Sequence, residues 1–257
     1  DFGFTQIFKT ACEMSNTARA TQYRGYADEW QRIWNLKLRE HKIDIERSML
    51  FGQRASVGGV QYTEGIVGHI IAEGGTPPVD AVQLSYNEGK AYHKSIADGS
   101  VTYDNLLSDL EVVFDPARGG SSSKLALCSL PVISLFNKMG DGGFIDKSME
   151  STASQYMIER AQGSFGHKVM KIDTVHGELA LVKEPLFRGL ASTFMALVDL
   201  DHVSYRPLVG NGINRDTQIQ TNVQGADEDL RKDMILTEAG LEVSLPETHA
   251  LFNFEGA

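Results

Sequence analysis

The sequence predicts an α+β fold from two observations: one long amphipathic helix lies near its start, and strand signals dominate its second half. Between them, "DPARGGSSSK" (Asp115 to Lys124) is expected to be a boundary, because glycine and serine clusters bury too little to order themselves. With 257 residues, 42% of them apolar and 23% charged, the chain can bury a real core in one large domain or two smaller ones. There is no internal repeat and no low-complexity tract.

The long helix is expected from about Tyr26 to Phe51, between Gly25 and Gly52. Ala27, Trp30, Trp34, Leu38, His41, Ile45 and Met49 recur at spacings of three or four and draw one apolar stripe, with Arg32, Lys37, Glu40, Lys42 and Glu46 mostly off it. At about 1.5 Å per residue such a rod reaches roughly 40 Å, and Gly52 is a natural stop. Trp30 and Trp34, four apart, read as core or interface anchors rather than as a platform for stacked bases, with Leu38 and Ile45 continuing the packing stripe.

Next, Ala55 to Gly75 is glycine-rich and "EGGTPPVD" ends it with two prolines, so a loop or sheet edge is expected. Tyr103 to Phe114 reads as a short, half-buried helix with Leu106, Leu107, Leu110 and Val113 at helical spacing. "LALCSLPVISLFNKM" (Leu125 to Met139) reads as a buried strand and then a helix starting near Pro131. Two strand runs flank a His176-Gly177 turn, and Phe194 to Asp199 and His202 to Val209 follow.

His202 to Gln224 reads as a long hairpin with its tip at Gly210 to Gly212. Its return arm alternates from Thr217 to Gln224. Thr217, Ile219, Thr221 and Val223 form a buriable face, and Gln218, Gln220, Asn222 and Gln224 form an uncharged amide face. Two strands alone are marginally stable in water, so a partner surface is implied. "MILTEAGLEVSLPETHALF" then reads as strand, turn at Glu238 to Gly240, strand, and a short tail with Pro246 as a stop.

Chemistry is sparse. The formal charge of −10 argues against a surface that grips phosphate throughout. Cys12 and Cys128 are too few for a disulfide framework. No apolar run approaches the ~20 residues of a membrane span, and no secretory signal pattern is present, so neither membrane nor secretion is expected.

The seven histidines make no HExxH or other close ligand pair. "DLDH" (Asp199 to His202) is the most ligand-like cluster, though in a strand Asp199 and Asp201 share a face that His202 does not. "GGSSSK" looks like a phosphate nest but lacks the P-loop's glycine beside the lysine, and reads as a flexible linker. "DFG" at the start has no kinase companions, and Ser164 in "GSFGH" has no nucleophile elbow. No catalytic, cofactor-binding or metal residues are therefore assigned, and the chain is not expected to be an enzyme.

The order of elements carries more information than any motif. The strand "TQIFKTACEM", the long helix, the glycine-rich middle, the hairpin, and the phrases "SFGH", "TVHGELALV", "VDLDHVSYRPL", "TNVQGAD" and "EAGLEV..PETH" resemble the major capsid proteins of tailed phages. The resemblance covers nearly the whole chain and is most specific from Ser164 to Leu251. It implies the Hong Kong 97 type fold: residues 1–24 as N-terminal arm or extended-loop region, 25–119 as peripheral domain with spine helix 26–51, 120–199 as axial domain, 200–230 as peripheral ribbon, and 231–257 as strands returning to the axial domain. It further implies a homo-oligomeric shell of hexamers and pentamers, assembled in the host cytoplasm as a virion capsid around non-specifically packaged double-stranded DNA. Scaffold, portal and decoration proteins are its implied partners.

On this reading Gln218, Gln220, Asn222, Gln224 and Arg206 are candidate intersubunit contacts. The N-terminal arm is short, and no lysine and asparagine pair can be assigned to cross-linking. Three rivals are an encapsulin-like nanocompartment shell protein, a phage tail or adaptor component, and a metal-dependent hydrolase around Asp199, Asp201 and His202.

Overall fold

The computed structural model describes residues 2–21, 28–73, 91–97, 101–136, 158–162 and 168–255. Two compact units emerge, Asp1–Gly68 with Tyr205–Glu242, and His69–Ser204 with Val243–Ala257. Residues 69–119, expected to group with the long helix, cluster instead with the strands that follow them, and 231–257 divides between the units at Glu242.

In the first unit a four-stranded sheet is organised on the 14-residue strand Leu230–Val243. Strand Gln6–Ser15 runs antiparallel along one side of it, from Gln6 opposite Ala239 to Ser15 opposite Leu230. On the other side it meets Val203–Pro207 and Gln218–Gln220. Strand Gln6–Ser15 alternates as a one-sided strand should: Phe8, Thr10 and Cys12 are buried, while Ile7, Lys9, Ala11 and Glu13 are exposed. The turn expected at Glu238 to Gly240 is absent. The strand runs straight through, because a Cβ at Gly240 would stand 2.8 Å from the Phe4 carbonyl oxygen; the glycine marks a close backbone approach inside a strand, not a bend.

The long helix is Glu29–Phe51, packed on strand Gln6–Ser15. Asp28 caps it, its carboxylate accepting from Trp30 N at 2.9 Å and Gln31 N at 3.3 Å. The earlier start expected at Tyr26 lies outside the described residues. Gly52 is the C-cap, its N–H donating to Ser48 O at 2.9 Å. The glycine-rich stretch that follows is more regular than expected: Ala55–Val57 and Val60–Tyr62 form a hairpin turning on Gly58 and Gly59, with φ of 58° and 83°. Those angles suit the turn type that matches strand twist, and glycine reaches them without strain. Helix Ile66–Glu73 comes next, and "EGGTPPVD" beyond Glu73 lies outside the described residues.

The second unit holds a seven-stranded mixed sheet in the order Tyr92–Ile96, Ala250–Phe254, Phe194–Val198, Ser123–Cys128, Glu178–Lys183, Lys168–Asp173, Ile158–Gln162. The expected short tail is thus a core strand, with Ala250, Leu251, Phe252 and Phe254 fully buried, parallel to Tyr92–Ile96 and antiparallel to Phe194–Val198. Two residues beyond the end of strand Leu230–Val243, Pro246 opens a single 3-10 turn, Pro246–Thr248, that leads into this strand. Helix Tyr103–Val113 buries Leu106, Leu110 and Val113 at the expected spacing, with Thr102 as its N-cap. Helix 130–136 contributes Val132 and Phe136, the latter edge-on to Phe254 at 6.0 Å.

Candidate functional site

The stripe of the long helix turned toward strand Gln6–Ser15 centres on a polar residue. His41 is buried, with Nδ1 at 2.9 Å from Thr10 Oγ1 and Nε2 at 2.9 Å from Thr237 Oγ1; Thr237 Oγ1 in turn lies 3.0 Å from Thr217 Oγ1. A neutral imidazole donates once and accepts once, and two hydroxyls complement either tautomer. Burial lowers the pKa of His41, in keeping with that neutral form. The clue in the sequence was Thr10, placed by alternation on the same inward face as Phe8 and Cys12.

Trp30, Trp34, Leu38 and Ile45 are all half-buried. The two indoles stack with centroids 6.4 Å apart and planes 22° apart, and the Arg231 guanidinium carbon sits 4.7 Å from the Trp30 ring centre. Arg231 also pairs with Asp233 at 2.9 Å. Trp30, Trp34, Arg231 and Asp233, with Ile219 and Thr221, line an open groove of about 340 Å³. The tryptophans therefore cover the sheet with one edge and present the other to the surface.

The alternation read from Thr217 to Gln224 is realised only in Gln218–Gln220. Thr217 and Asn222 take φ of 37° and 57°, in the left-handed region, so the chain bends at both ends of that short strand. Past the second bend it is tied to strand Leu230–Val243 by Asn222 N to Asp233 Oδ1 at 2.9 Å and Val223 N to Lys232 O at 2.8 Å. The long hairpin is likewise broken up. Across its tip Val209–Gly210 pairs with Ile213–Asn214 and Arg215 N donates to Leu208 O at 3.0 Å, while strands Val203–Pro207 and Gln218–Gln220 pair with Leu230–Val243. Sequence alternation could not reveal that a third strand wins this competition.

Gln218 and Gln220 are exposed, and so is Ile219 at 55%, although its face was expected to be buried. Gln218 donates from its side chain to Asn214 O. Gln224 is half-buried and accepts from Lys232 N at 3.3 Å, so it serves the chain's own turn. Asn222 is exposed, as is Arg206, which pairs with Glu242 across the surface.

In the second unit the expected linker is a built loop. Asp199 is buried and accepts from Ser121 N at 2.7 Å and Asp201 N at 3.2 Å, with Lys124 Nζ at 3.5 Å. The nest suspected in "GGSSSK" thus does gather an anion, but the anion is the chain's own carboxylate. Lys124, also fully buried, donates to Thr248 O at 2.7 Å and lies 5.7 Å from the Phe114 ring centre. Burial pushes the Asp199 carboxyl up, but the backbone donors and the Lys124 charge outweigh it and hold the group below the usual carboxylate range. Burial also holds the Lys124 ammonium below the usual lysine range. His249 accepts at Nδ1 from Asp199 N at 3.1 Å, and burial together with the Lys124 charge pushes it down to about 4.

The three residues of "DLDH" considered as ligands do different things. Asp199 is buried in this knot, Asp201 is exposed, and His202 lies beside Ser244 Oγ at 3.4 Å. Among the described residues no three His, Cys, Asp or Glu side chains gather as metal ligands do.

A family model described as SU10 major capsid protein matches residues 2–254. No curated protein matches the chain by sequence. Among solved structures, the cyanophage A-1(L) capsid asymmetric unit superposes with a TM-score of 0.60 at 9% identity, covering 98% of this chain and 78% of that one. The asymmetric unit of the bacteriophage PhiM1 mature capsid gives 0.56 at 11%, covering 98% and 72%. The holo-SrpI encapsulin complex from Synechococcus elongatus PCC 7942 gives 0.56 at 13%, covering 97% and 73%. At these identities the likeness is one of fold.

Proposed function

The chain belongs to the SU10 major capsid protein family and has the Hong Kong 97 type fold, and on that premise we propose that copies of it assemble as hexamers and pentamers into a closed icosahedral virion shell. The observation that carries this is the family match across residues 2–254. The chain is a structural protein on this reading. Its unit Asp1–Gly68 with Tyr205–Glu242 corresponds to the peripheral domain and the long helix to the spine; the seven-stranded unit corresponds to the axial domain. Gln218, Gln220, Asn222 and Arg206, all exposed, are contacts between copies.

The shell encloses double-stranded DNA, and the net charge of −10 suits a wall that contains phosphate without gripping it. Assembly takes place in the host cytoplasm with scaffold, portal and decoration proteins as partners. An encapsulin is among the structural neighbours, and a nanocompartment would enclose protein cargo instead of a genome. The test is expression with the phage's own scaffold and portal, followed by negative-stain microscopy and analysis of particle contents. Closed shells that take up DNA are expected. A subunit that stays monomeric at high concentration, rings or tubes without closure, or shells filled only with protein would overturn the reading.

A further inference from the structure

Strand Gln6–Ser15 is an edge of its sheet: Leu230–Val243 lies along one side of it, and among the described residues no strand lies along the other. The hydrogen-bond pattern fixes which groups the open side presents. Leu208 N donates to Glu238 O, Glu238 N to Arg215 O, and Val223 N to Lys232 O, so the even-numbered residues of Leu230–Val243 turn their backbone toward residues 208–223 and the odd-numbered ones toward Gln6–Ser15. The register sets Thr10 opposite Ile235 and Cys12 opposite Asp233, so the even-numbered residues of Gln6–Ser15 use their N–H and C=O groups in that pairing. Asn16 N, one step beyond the strand, donates to Asp229 O in the same phase. Ile7, Lys9, Ala11 and Glu13 therefore aim their N–H and C=O groups out of the open edge, where they meet no partner among the described residues.

An edge this long is normally blunted by a proline, a bulge or a lone lysine. This one has no proline, and its register runs from Gln6 to Ser15 without a bulge. It does carry Lys9, but with Glu13 four residues on, both exposed and both on the face away from the long helix. In an antiparallel pairing of this edge with its own copy, odd-numbered residues fall opposite odd-numbered ones. Centring the pair on Lys9 sets lysine against lysine, and centring it on Glu13 sets glutamate against glutamate. Centres at Thr10 or Cys12 leave each charge opposite a neutral residue. Centring on Ala11 sets Lys9 opposite Glu13 twice over, with Phe8 opposite Met14 on the helix side. Lys9 has no ion pair among the described residues, and Glu13 meets Lys232 Nζ through one oxygen, at 3.1 Å, which leaves the other for a lysine of the copy.

We propose that strand Gln6–Ser15 pairs antiparallel with the same strand of a second copy across a twofold axis at Ala11, joining two four-stranded sheets into one of eight. The proposal rests on the shell reading above. A self-complementary contact is complete at two copies and cannot build a ring of five or six, so it joins neighbouring hexamers and pentamers, where a closed shell has its twofold relations. The helices leave room for it. His41 reaches Thr10 and Thr237 at once, and Trp30 lies against Arg231, so the helix sits back from the open edge, above the two strands. Two such helices across the axis stand about two strand spacings apart, roughly 10 Å, the separation at which helices pack.

The test uses the full chain co-expressed with its scaffold. Shells of Ala11→Cys treated with a short bis-maleimide are expected to run as covalent dimers in denaturing gels, because the two α-carbons facing each other across the axis stand about 5.5 Å apart; wild-type shells treated alike stay monomeric. Lys9→Glu and Glu13→Lys each set like charges opposite one another twice. Each is expected to lower shell yield about tenfold and to leave hexamers and pentamers unjoined, with subunit melting near the wild-type value. Both changes in one chain restore yield, because the opposite charges then face each other again. Ala11→Cys shells that give no dimer overturn the proposal, as does cross-linking of that variant to the scaffold in place of a second copy. So do single reversals that assemble at wild-type yield, and a double variant that fails to recover although its subunit melts normally. A wild-type chain that never assembles defeats the shell reading itself, an outcome distinct from indifferent variants in an assembling background.

Discussion

Replacing Asp199 by alanine tests the buried knot of the second unit. The change removes an acceptor from Ser121 N and Asp201 N and leaves Lys124, fully buried, with the Thr248 carbonyl and the Phe114 ring but no counter-charge among the described residues. Removing one partner of a buried pair typically costs about 3–5 kcal/mol. The lysine can escape part of this by losing its proton. At pH 7, against its ordinary value of 10.5, that escape costs at most about 4.8 kcal/mol, and less here because burial has already lowered the pKa of Lys124. A loss of about 4 kcal/mol lowers Tm by roughly 8–16 °C in a domain of this size.

The assay is thermal or urea unfolding of subunits kept unassembled at low concentration. Burial already lowers Lys124 in the wild type, and loss of the Asp199 charge lowers it further in the variant, so the deficit should shrink as pH rises through the interval between the two values and stay constant above it. Lys124→Met in the same chain should return more than about 1 kcal/mol by removing the stranded group. A loss under about 1 kcal/mol for Asp199→Ala, or strict additivity in the double variant, would refute the account of this knot.

Three further outcomes are expected. His249 has a folded pKa of about 4 against its ordinary 6.5, so its contribution is complete above pH 6.5 and is lost as pH falls toward 4, by about 3 kcal/mol; urea titrations of wild type and His249→Gln should diverge across that window, and parallel curves would count against it. Gly240→Ala puts a Cβ 2.8 Å from the Phe4 carbonyl oxygen inside a buried strand and should cost about 1–3 kcal/mol in subunit melting, where an unchanged Tm would mean the backbone approach is soft. Gln218→Glu with Gln220→Glu changes only exposed side chains and should leave the subunit folded while impairing shell formation, read by sedimentation; normal yield would place that face in water.

How far the sequence could be read depended on whether local pattern or distant pairing decided each segment. Periodicity found the long helix because its stripe repeats over 23 residues, and found helix Tyr103–Val113 for the same reason. It failed at Glu238 to Gly240, where glycine answers to the Phe4 carbonyl more than two hundred residues earlier in the chain. It failed again at "DPARGGSSSK", whose order comes from the Asp199 carboxylate 78 residues downstream of Ser121. At the candidate surface, Gln218, Gln220, Asn222 and Arg206 are exposed as a contact requires, but the bends at Thr217 and Asn222 were invisible because alternation alone assigns no φ. His41 was placed on the right stripe and misread in character, since its two threonine partners come from other strands.

The place of strand Ala250–Phe254 in its sheet has a consequence for biosynthesis. Tyr92–Ile96 has this strand as its neighbour in the sheet, and Phe194–Val198 needs it to complete one side. A ribosome making this chain must therefore reach Phe254 before the seven-stranded sheet can close, although Tyr92 was translated more than 150 residues earlier. Nascent chains carry an open sheet edge throughout that interval, and the pairing that closes it is among the most non-local in the molecule, which makes it slow. The seven-stranded unit therefore closes only after the last of its strands has been made, long after its first strands have left the ribosome.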